Sequence, residues 1–289
     1  MKILVTGSNG QLGSELRRLF AERTTDDCLF IDIGELDITD PVAVRSFFHE
    51  HRPEVCINCA AYTAVDKAES EPDLARKVNV TGVEVLAKNC EDSGASLVHI
   101  STDFVFNGEA DKPYSTDHPV SPVSVYGLTK AEGEYRALST CSRTWLVRTS
   151  WVYSAFGGNF VKTMIRLGKE RSEINVVNDQ VGSPTWAKDL ARAILTIIDQ
   201  REVTKYGIYH FSDKGAITWF DLAAAVMDTY GLNCKVNPIP TSSYPTPAKR
   251  PAYSVLDLSG TASVPGMEIP DWKTSLQQCI EEIKTLENA

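Results

Sequence analysis

The sequence predicts an α/β fold: a doubly wound parallel sheet with a smaller lobe interleaved with it. Three observations predict it. Short β-branched apolar runs alternate with amphipathic stretches through the first half of the chain, the signature of βαβ units with helices on both faces of a parallel sheet. A glycine-spaced turn, Gly7-Ser-Asn-Gly10-Gln-Leu-Gly13, follows the first apolar run at once. After about residue 150 the alternation loosens, and Pro and Gly gather at Gly157-Gly158, at Gly182-Ser-Pro184 and across 238–251.

The first strand is expected at 2–6 and the first helix at 11–23. Further strands are expected at 28–33, 54–60, 96–101 and 144–150, each a short apolar run of the kind a two-sided buried sheet requires. Helical patterns fall between them at 41–51, 71–92 and 125–140. Asp40-Pro41 supplies an N-cap and a proline at the first helical position. In the second half, helices are expected at 158–171, 187–200, 218–230 and 273–287. The stretch Tyr244-Pro-Thr-Pro-Ala-Lys-Arg-Pro251 is too proline-rich for a helix or central strand. It reads as an extended loop, the kind of segment that carries contacts.

Composition narrows the function. At 289 residues, 43% hydrophobic and 23% charged, the chain is an ordinary globule with enough length for a sizeable core. A net charge of −9 and a pI near 5.1 argue against a nucleic-acid partner, which needs a surplus of Lys and Arg on one face. They leave room for a small anion held by a few cations and backbone amides. Seven scattered cysteines, mostly in apolar surroundings, predict buried reduced thiols and a cytoplasmic location. Cys56 and Cys59 match C-x-x-C, but in a strand that spacing sends them to opposite faces, so no metal site is expected. No signal peptide or membrane span is expected either.

The chemistry gathers at strand ends. Gly7 permits the tight turn, Gly10 lets a pyrophosphate approach the backbone, and Gly13 lets helix and strand pack closely. The spacing is G-x-x-G-x-x-G, with the strand before it and the helix after it that a dinucleotide site needs. Residues 1–150 therefore read as a dinucleotide-binding domain and 151–289 as mainly a substrate-binding lobe. Asp32 closes the second strand, where an acid reaches the adenosine ribose hydroxyls. No Lys or Arg lies between 32 and 44 to receive a 2′-phosphate, which favours NADH. Ser101-Thr102-Asp103 ends the fourth strand at the same edge of the sheet. Tyr126-Gly-Leu-Thr-Lys130 opens the next helix and puts phenol and ammonium on one face. A cation there is expected to pull the tyrosine below its usual value of about 10 and ready it to protonate a carbonyl oxygen. A bare Tyr-x-x-x-Lys match arises by chance roughly half a time in such a chain; its weight comes from its place after the glycine turn and Thr102. His49, His51, His99, His118 and His210 form no spaced cluster.

The set resembles the extended short-chain dehydrogenase/reductase family, and within it the dTDP-4-dehydrorhamnose reductases. The resemblance spans nearly the whole chain. It rests on Thr6 to Gly13, on Ala60-Ala-Tyr-Thr-Ala-Val-Asp-Lys-Ala-Glu69, on Ser101-Thr-Asp-Phe-Val-Phe106, and on Tyr126 to Lys130. Further matches are Arg148-Thr-Ser-Trp-Val-Tyr153, Asn178-Asp-Gln-Val-Gly-Ser-Pro-Thr185, and Arg250-Pro251 with Ser254. The related 4,6-dehydratases carry an acid where this chain has Phe104, which leaves plain ketone reduction.

The resemblance implies a Rossmann-type sheet and reduction of the C4 ketone of dTDP-4-dehydro-L-rhamnose by a nicotinamide hydride. It implies Tyr126 as proton donor to the C4 oxygen, Lys130 lowering its pKa and binding the nicotinamide ribose, and Thr102 orienting the carbonyl. Gly7, Gly10, Gln11, Leu12, Gly13 and Asp32 would line the dinucleotide, with Asp37, Ile38, Ala60, Ala61 and Tyr62 around its other end. Thr63, Val65, Asp103 and Trp151 would face the deoxysugar, and Arg250 would hold a diphosphate oxygen. Asn159 and Gln180 stand between site and core; Arg148 reads as a structural ion pair. NADPH is the family's common cofactor, so the choice between NADPH and NADH stays open. Mg²⁺ enters by resemblance only, and a homodimer is left open. Two other readings remain: a reductase or epimerase of another nucleotide sugar, and a catalytically silent dinucleotide-binding regulatory subunit.

Overall fold

The computed structural model describes residues 1–23 and 25–288. Six strands form one parallel sheet: β1 (Lys2–Thr6), β2 (Asp27–Ile31), β3 (Val55–Asn58), β4 (Ser96–Thr102), β5 (Thr144–Thr149) and β6 (Gly207–His210). Their order across the sheet is β6-β5-β4-β3-β1-β2, with every neighbouring pair parallel. The order reverses between β1 and β3. In an open α/β sheet, that crevice at the carboxyl ends of the strands is where ligands bind.

The eight longer helices are α1 (Gln11–Ala21), α2 (Pro41–His51), α3 (Val83–Ser93), α4 (Val125–Thr140), α5 (Phe160–Glu170), α6 (Ala187–Asp199), α7 (Trp219–Tyr230) and α8 (Trp272–Glu287). Asp40 caps α2 as its sequence predicts, accepting from the amides of Val42 and Ala43. On one face of the sheet, Leu12, Leu16 and Phe20 of α1 pack with Leu190, Ile194 and Ile198 of α6 against Ile3, Val5 and Ile57. On the other, α2 and α3 bury Val44, Phe48, Leu86 and Cys90 against Leu4, Cys56 and Leu97. Cys56 joins this second core while Cys59 packs against the first. All seven cysteines are free.

The structure adds elements that the sequence pattern does not show. β6 returns from the second half of the chain to extend the sheet beyond β5; it has only four residues and begins at Gly207, whose φ is 146°. The helix expected at 71–92 is also not uniform. Pro72–Arg76 is α-helical, Lys77–Gly82 widens into a π-helical turn, and α3 follows. Hydrophobic periodicity cannot register one such widened turn.

The remaining second-half elements form their own core, in which Tyr153, Met164, Trp186, Val226, Leu276 and Ile280 are buried. A two-stranded parallel pair, Glu173–Val177 with Lys235–Ile239, flanks α5 and α7. Among the described residues no helix is long and apolar enough to cross a membrane.

Candidate active site

The cleft begins at the glycine turn. Gly7 has φ of 63°, and a Cβ there would lie 2.6 Å from the Ala60 nitrogen. Only glycine permits both the left-handed backbone and the approach of the segment leaving β3. A Cβ on Gly13 would lie 2.5 Å from Ser8 Cα, so this glycine lets α1 close onto its own turn. Gly10 caps α1 with no side-chain hydrogen bond, which leaves the first amides of the helix open to an anion.

These residues open a cleft of about 1040 Å³ that runs from Asp32 to Arg250. Of the residues the sequence nominates for the site, all but Gly13 line it. Asp32 lies at one end, its carboxylate accepting from the Asn9 and Ile33 amides at 2.9 and 2.8 Å. Asp37 accepts from both the amide and the hydroxyl of Thr39, which hold its carboxyl below the usual range. Ile38 is buried against Gly82, where a Cβ would lie 2.8 Å from it.

At the other end stand Thr102, Tyr126 and Lys130. Ser124 caps α4 by accepting from the Gly127 amide, and Glu69 accepts from the Val125 amide at 2.8 Å. Gly127 is required because a Cβ would lie 2.2 Å from the Phe104 carbonyl oxygen. The start of α4 thus presses on the turn after β4, and Phe104 meets the Tyr126 ring edge-on at 5.5 Å. Thr102 donates to Asp103 Oδ1 at 3.0 Å and accepts from the Phe104 amide at 3.2 Å.

The titration of Tyr126 departs from the sequence expectation. Burial, then the neighbouring Asp103 carboxylate, push its hydroxyl up to about 12, against the opposing influence of the nearby Thr102 hydroxyl. Lys130 is not the group that sets it: its ammonium donates to the Ile100 carbonyl at 2.6 Å. Burial brings Lys130 itself down to about 8, opposed by Glu134 and Cys59. Proximity on a helix face counts for less here than removal from water. Asp103 is pushed up to about 6 by burial, with Ser254 and Thr102 pulling the other way. Its Oδ2 is buried without a hydrogen-bond partner.

The far wall belongs to the second lobe. Trp151 holds a left-handed φ of 47°, uncommon for a bulky residue. Its indole stacks on Trp219 at 3.6 Å and 11°, with Gly182 directly behind it. Arg250 reaches Asp66 through two hydrogen bonds, at 3.1 and 2.8 Å, so its fork is engaged by a carboxylate in this structure. Asn159 donates to Gln11 Oε1 at 3.0 Å and lines the cleft. Gln180 is buried away from it and donates to Thr241. Arg148 forms a buried bidentate pair with Glu134, at 2.9 and 2.7 Å. Among the described residues no three His, Cys, Asp or Glu side chains gather to hold a metal.

The sequence profile of the RmlD substrate binding domain family matches residues 1–285. A dTDP-4-dehydrorhamnose reductase from Streptomyces griseus is 44% identical over 279 residues, spanning 95% of this chain and 91% of the relative. The chain belongs to the dTDP-4-dehydrorhamnose reductase family. A solved dTDP-4-dehydrorhamnose reductase from Clostridium acetobutylicum superposes with a TM-score of 0.95 at 45% identity, covering 98% of this chain and 100% of that one. Another, from Bacillus anthracis in complex with NADP, has a TM-score of 0.92 at 39% identity, covering 97% and 99%.

In this member of the reductase family, two contributors escape the sequence reading. Asn79, in the π-helical turn, accepts from the Tyr62 amide and donates to the Tyr62 carbonyl and to Thr129 Oγ1. Thr129 in turn donates to the Tyr126 carbonyl. One buried amide thereby ties the loop after β3 to the turn of α4 that carries Tyr126. A polar amide inside an otherwise helical pattern is the available signal. Trp219 is the other, and nothing local in its sequence points to the cleft.

Proposed function

We propose that this chain reduces the C4 ketone of dTDP-4-dehydro-L-rhamnose to dTDP-L-rhamnose, as the names of its relatives indicate for them. The observation that carries the reading is the cleft itself. One end is a glycine turn with an uncapped helix N-terminus, and the other holds Thr102, Tyr126 and Lys130 together.

A dinucleotide fits the first end. The cradle exists because Gly7 lacks a Cβ, and the amides of α1 face it. Gly7, Gly10, Gln11 and Leu12 would hold the pyrophosphate, Asp32 the adenosine ribose, and Lys130 the nicotinamide ribose. When bound, the dinucleotide supplies hydride to C4. Tyr126, protonated at neutral pH, gives its proton to the C4 oxygen. Thr102 turns its hydroxyl from Asp103 toward that oxygen and orients the carbonyl. Thr63, Val65, Asp103 and Trp151 would contact the deoxysugar, and Arg250 would take a diphosphate oxygen while Asp66 holds its other edge. On this reading residues 151–289 mainly bind the sugar nucleotide. Phe104 places an apolar ring where a dehydratase needs an acid, so elimination has no proton acceptor there.

The test is oxidation of NADPH or NADH by purified protein with dTDP-4-dehydro-L-rhamnose, with other 4-keto nucleotide sugars in parallel. Turnover confined to another sugar would replace the substrate. Dinucleotide binding without any turnover would make the chain a silent regulatory subunit.

A further inference from the structure

The opposing signals on cofactor choice meet at the carboxyl end of β2. No Lys or Arg lies between residues 32 and 44, yet the fold brings a cation from α1. The Arg17 guanidinium lies over the Phe30 ring, 4.4 Å from its centroid, and donates to Ser8 Oγ at 3.0 Å. Ser8 is in the glycine turn, and its amide donates to the Ile31 carbonyl. The next amide of that turn, Asn9, donates to Asp32 Oδ2, so one short turn joins the Arg17 contact to the acid.

Asp32 is less repulsive to an anion than a bare carboxylate. Its Oδ2 accepts from the Asn9 amide and its Oδ1 from the Ile33 amide, which draw its charge into the turn. Beyond it Ile33 is 75% exposed and a Cβ on Gly34 would meet nothing within 4 Å, while the Glu35 carboxylate is engaged by the Asp32 amide at 2.9 Å. Among the described residues the Arg17 guanidinium makes its hydrogen bond to a hydroxyl, not to a carboxylate. A guanidinium resting on an aromatic face beside a serine hydroxyl suits a phosphate monoester, by charge and by its planar donor fork.

We propose that Arg17, held in place by the buried Ser8 hydroxyl, is the specificity determinant that receives the 2′-phosphate of NADPH, while Asp32 receives the ribose hydroxyls of NADH. The inference rests on the dinucleotide reading above. It makes the corner a two-way reader, in which a ribose diol donates to Asp32 and a phosphate accepts from Arg17.

The experiment is equilibrium titration with 2′,5′-ADP and 5′-AMP, fragments that carry no nicotinamide and need no turnover. Wild-type protein is expected to prefer 2′,5′-ADP about tenfold, the size of one charge-assisted contact. Arg17→Gln removes that preference, and Arg17→Lys, which keeps charge but not the fork, retains part of it. The NADPH/NADH ratio of kcat/KM falls with it in Arg17→Gln. Equal wild-type binding of both fragments overturns the proposal, as does a preference for 2′,5′-ADP that survives in Arg17→Gln. Weakening of both fragments by the same factor in both variants also overturns it, because the arginine would then only support the turn. Fragment binding that behaves as expected while no keto sugar is turned over leaves Arg17 assigned and sinks only the reductase reading.

Discussion

Thr102 donates its hydroxyl to Asp103 Oδ1 at 3.0 Å, beside Tyr126, whose own hydroxyl the Asp103 carboxylate helps to raise. Asp103 is itself pushed up to about 6 by burial, so the proposed proton donor and its orienting hydroxyl both border a buried acid. A carbonyl oxygen entering between them competes with Asp103 for the Thr102 proton. Binding and protonation are therefore coupled at Thr102.

Tyr126→Phe removes the proton and leaves the ring that packs on Phe104. Turnover is expected to fall by about 10² to 10⁴-fold, while dinucleotide affinity changes little. Stopped-flow reduction and fluorescence titration measure the two separately. Loss of the folded state in this variant would show that Tyr126 is chiefly a packing residue.

The pH profile of kcat/KM is expected to be bell-shaped. Asp103, raised to about 6, is ionised above that value, where it can accept from a sugar hydroxyl, so the acid limb rises through pH 6. Lys130, lowered to about 8, loses its charge above that value, and the profile falls. Asp103→Asn is expected to abolish the acid limb and keep the alkaline one. An unchanged acid limb would assign it elsewhere.

Asp103 also costs stability. Its folded pKa lies above the usual value of 3.8, so folding favours the protonated form. The penalty is absent below pH 3.8 and complete above pH 6. A shift of this size corresponds to about 3 kcal/mol. Asp103→Asn should therefore raise the urea midpoint at pH 8 and barely move it at pH 3.5. Destabilisation at pH 8 would mean that the carboxylate is better satisfied than burial implies.

Asn79→Leu keeps the volume and removes three hydrogen bonds at Tyr62 and Thr129. The loop after β3 and the start of α4 should then move independently. Dinucleotide KM should rise and kcat fall together, by about tenfold, alongside a stability loss of about 1–3 kcal/mol. Stability loss with unchanged kinetic constants would reduce Asn79 to a structural role.

Arg148→Met strands Glu134 in the core, and about 3–5 kcal/mol of stability should be lost. Adding Glu134→Leu should recover much of it. Denaturant titration of both variants decides, and a double variant no better than the single would show that the pair itself stabilises the fold.

Local sequence determines most of the first half. Alternating runs, the Asp40-Pro41 cap and the glycine turn each act within a few residues, so periodicity and turn chemistry report them directly. Tyr126, Lys130 and Thr102 are legible for the same reason: each sits at a strand end or helix start that the pattern locates. The tertiary structure alone decided the rest. β6 is too short to announce itself and becomes a strand because β5 offers an open edge. Tyr126 rises to about 12 because burial outweighs a cation four residues away, and burial is a property of everything packed around it. Asn79, Trp219 and Arg17 act across gaps in the chain that no local pattern spans. Sequence placed Thr102, Tyr126 and Lys130 at strand ends and helix starts because those signals are local; it could not fix their protonation or partners, which depend on distance and exclusion of water.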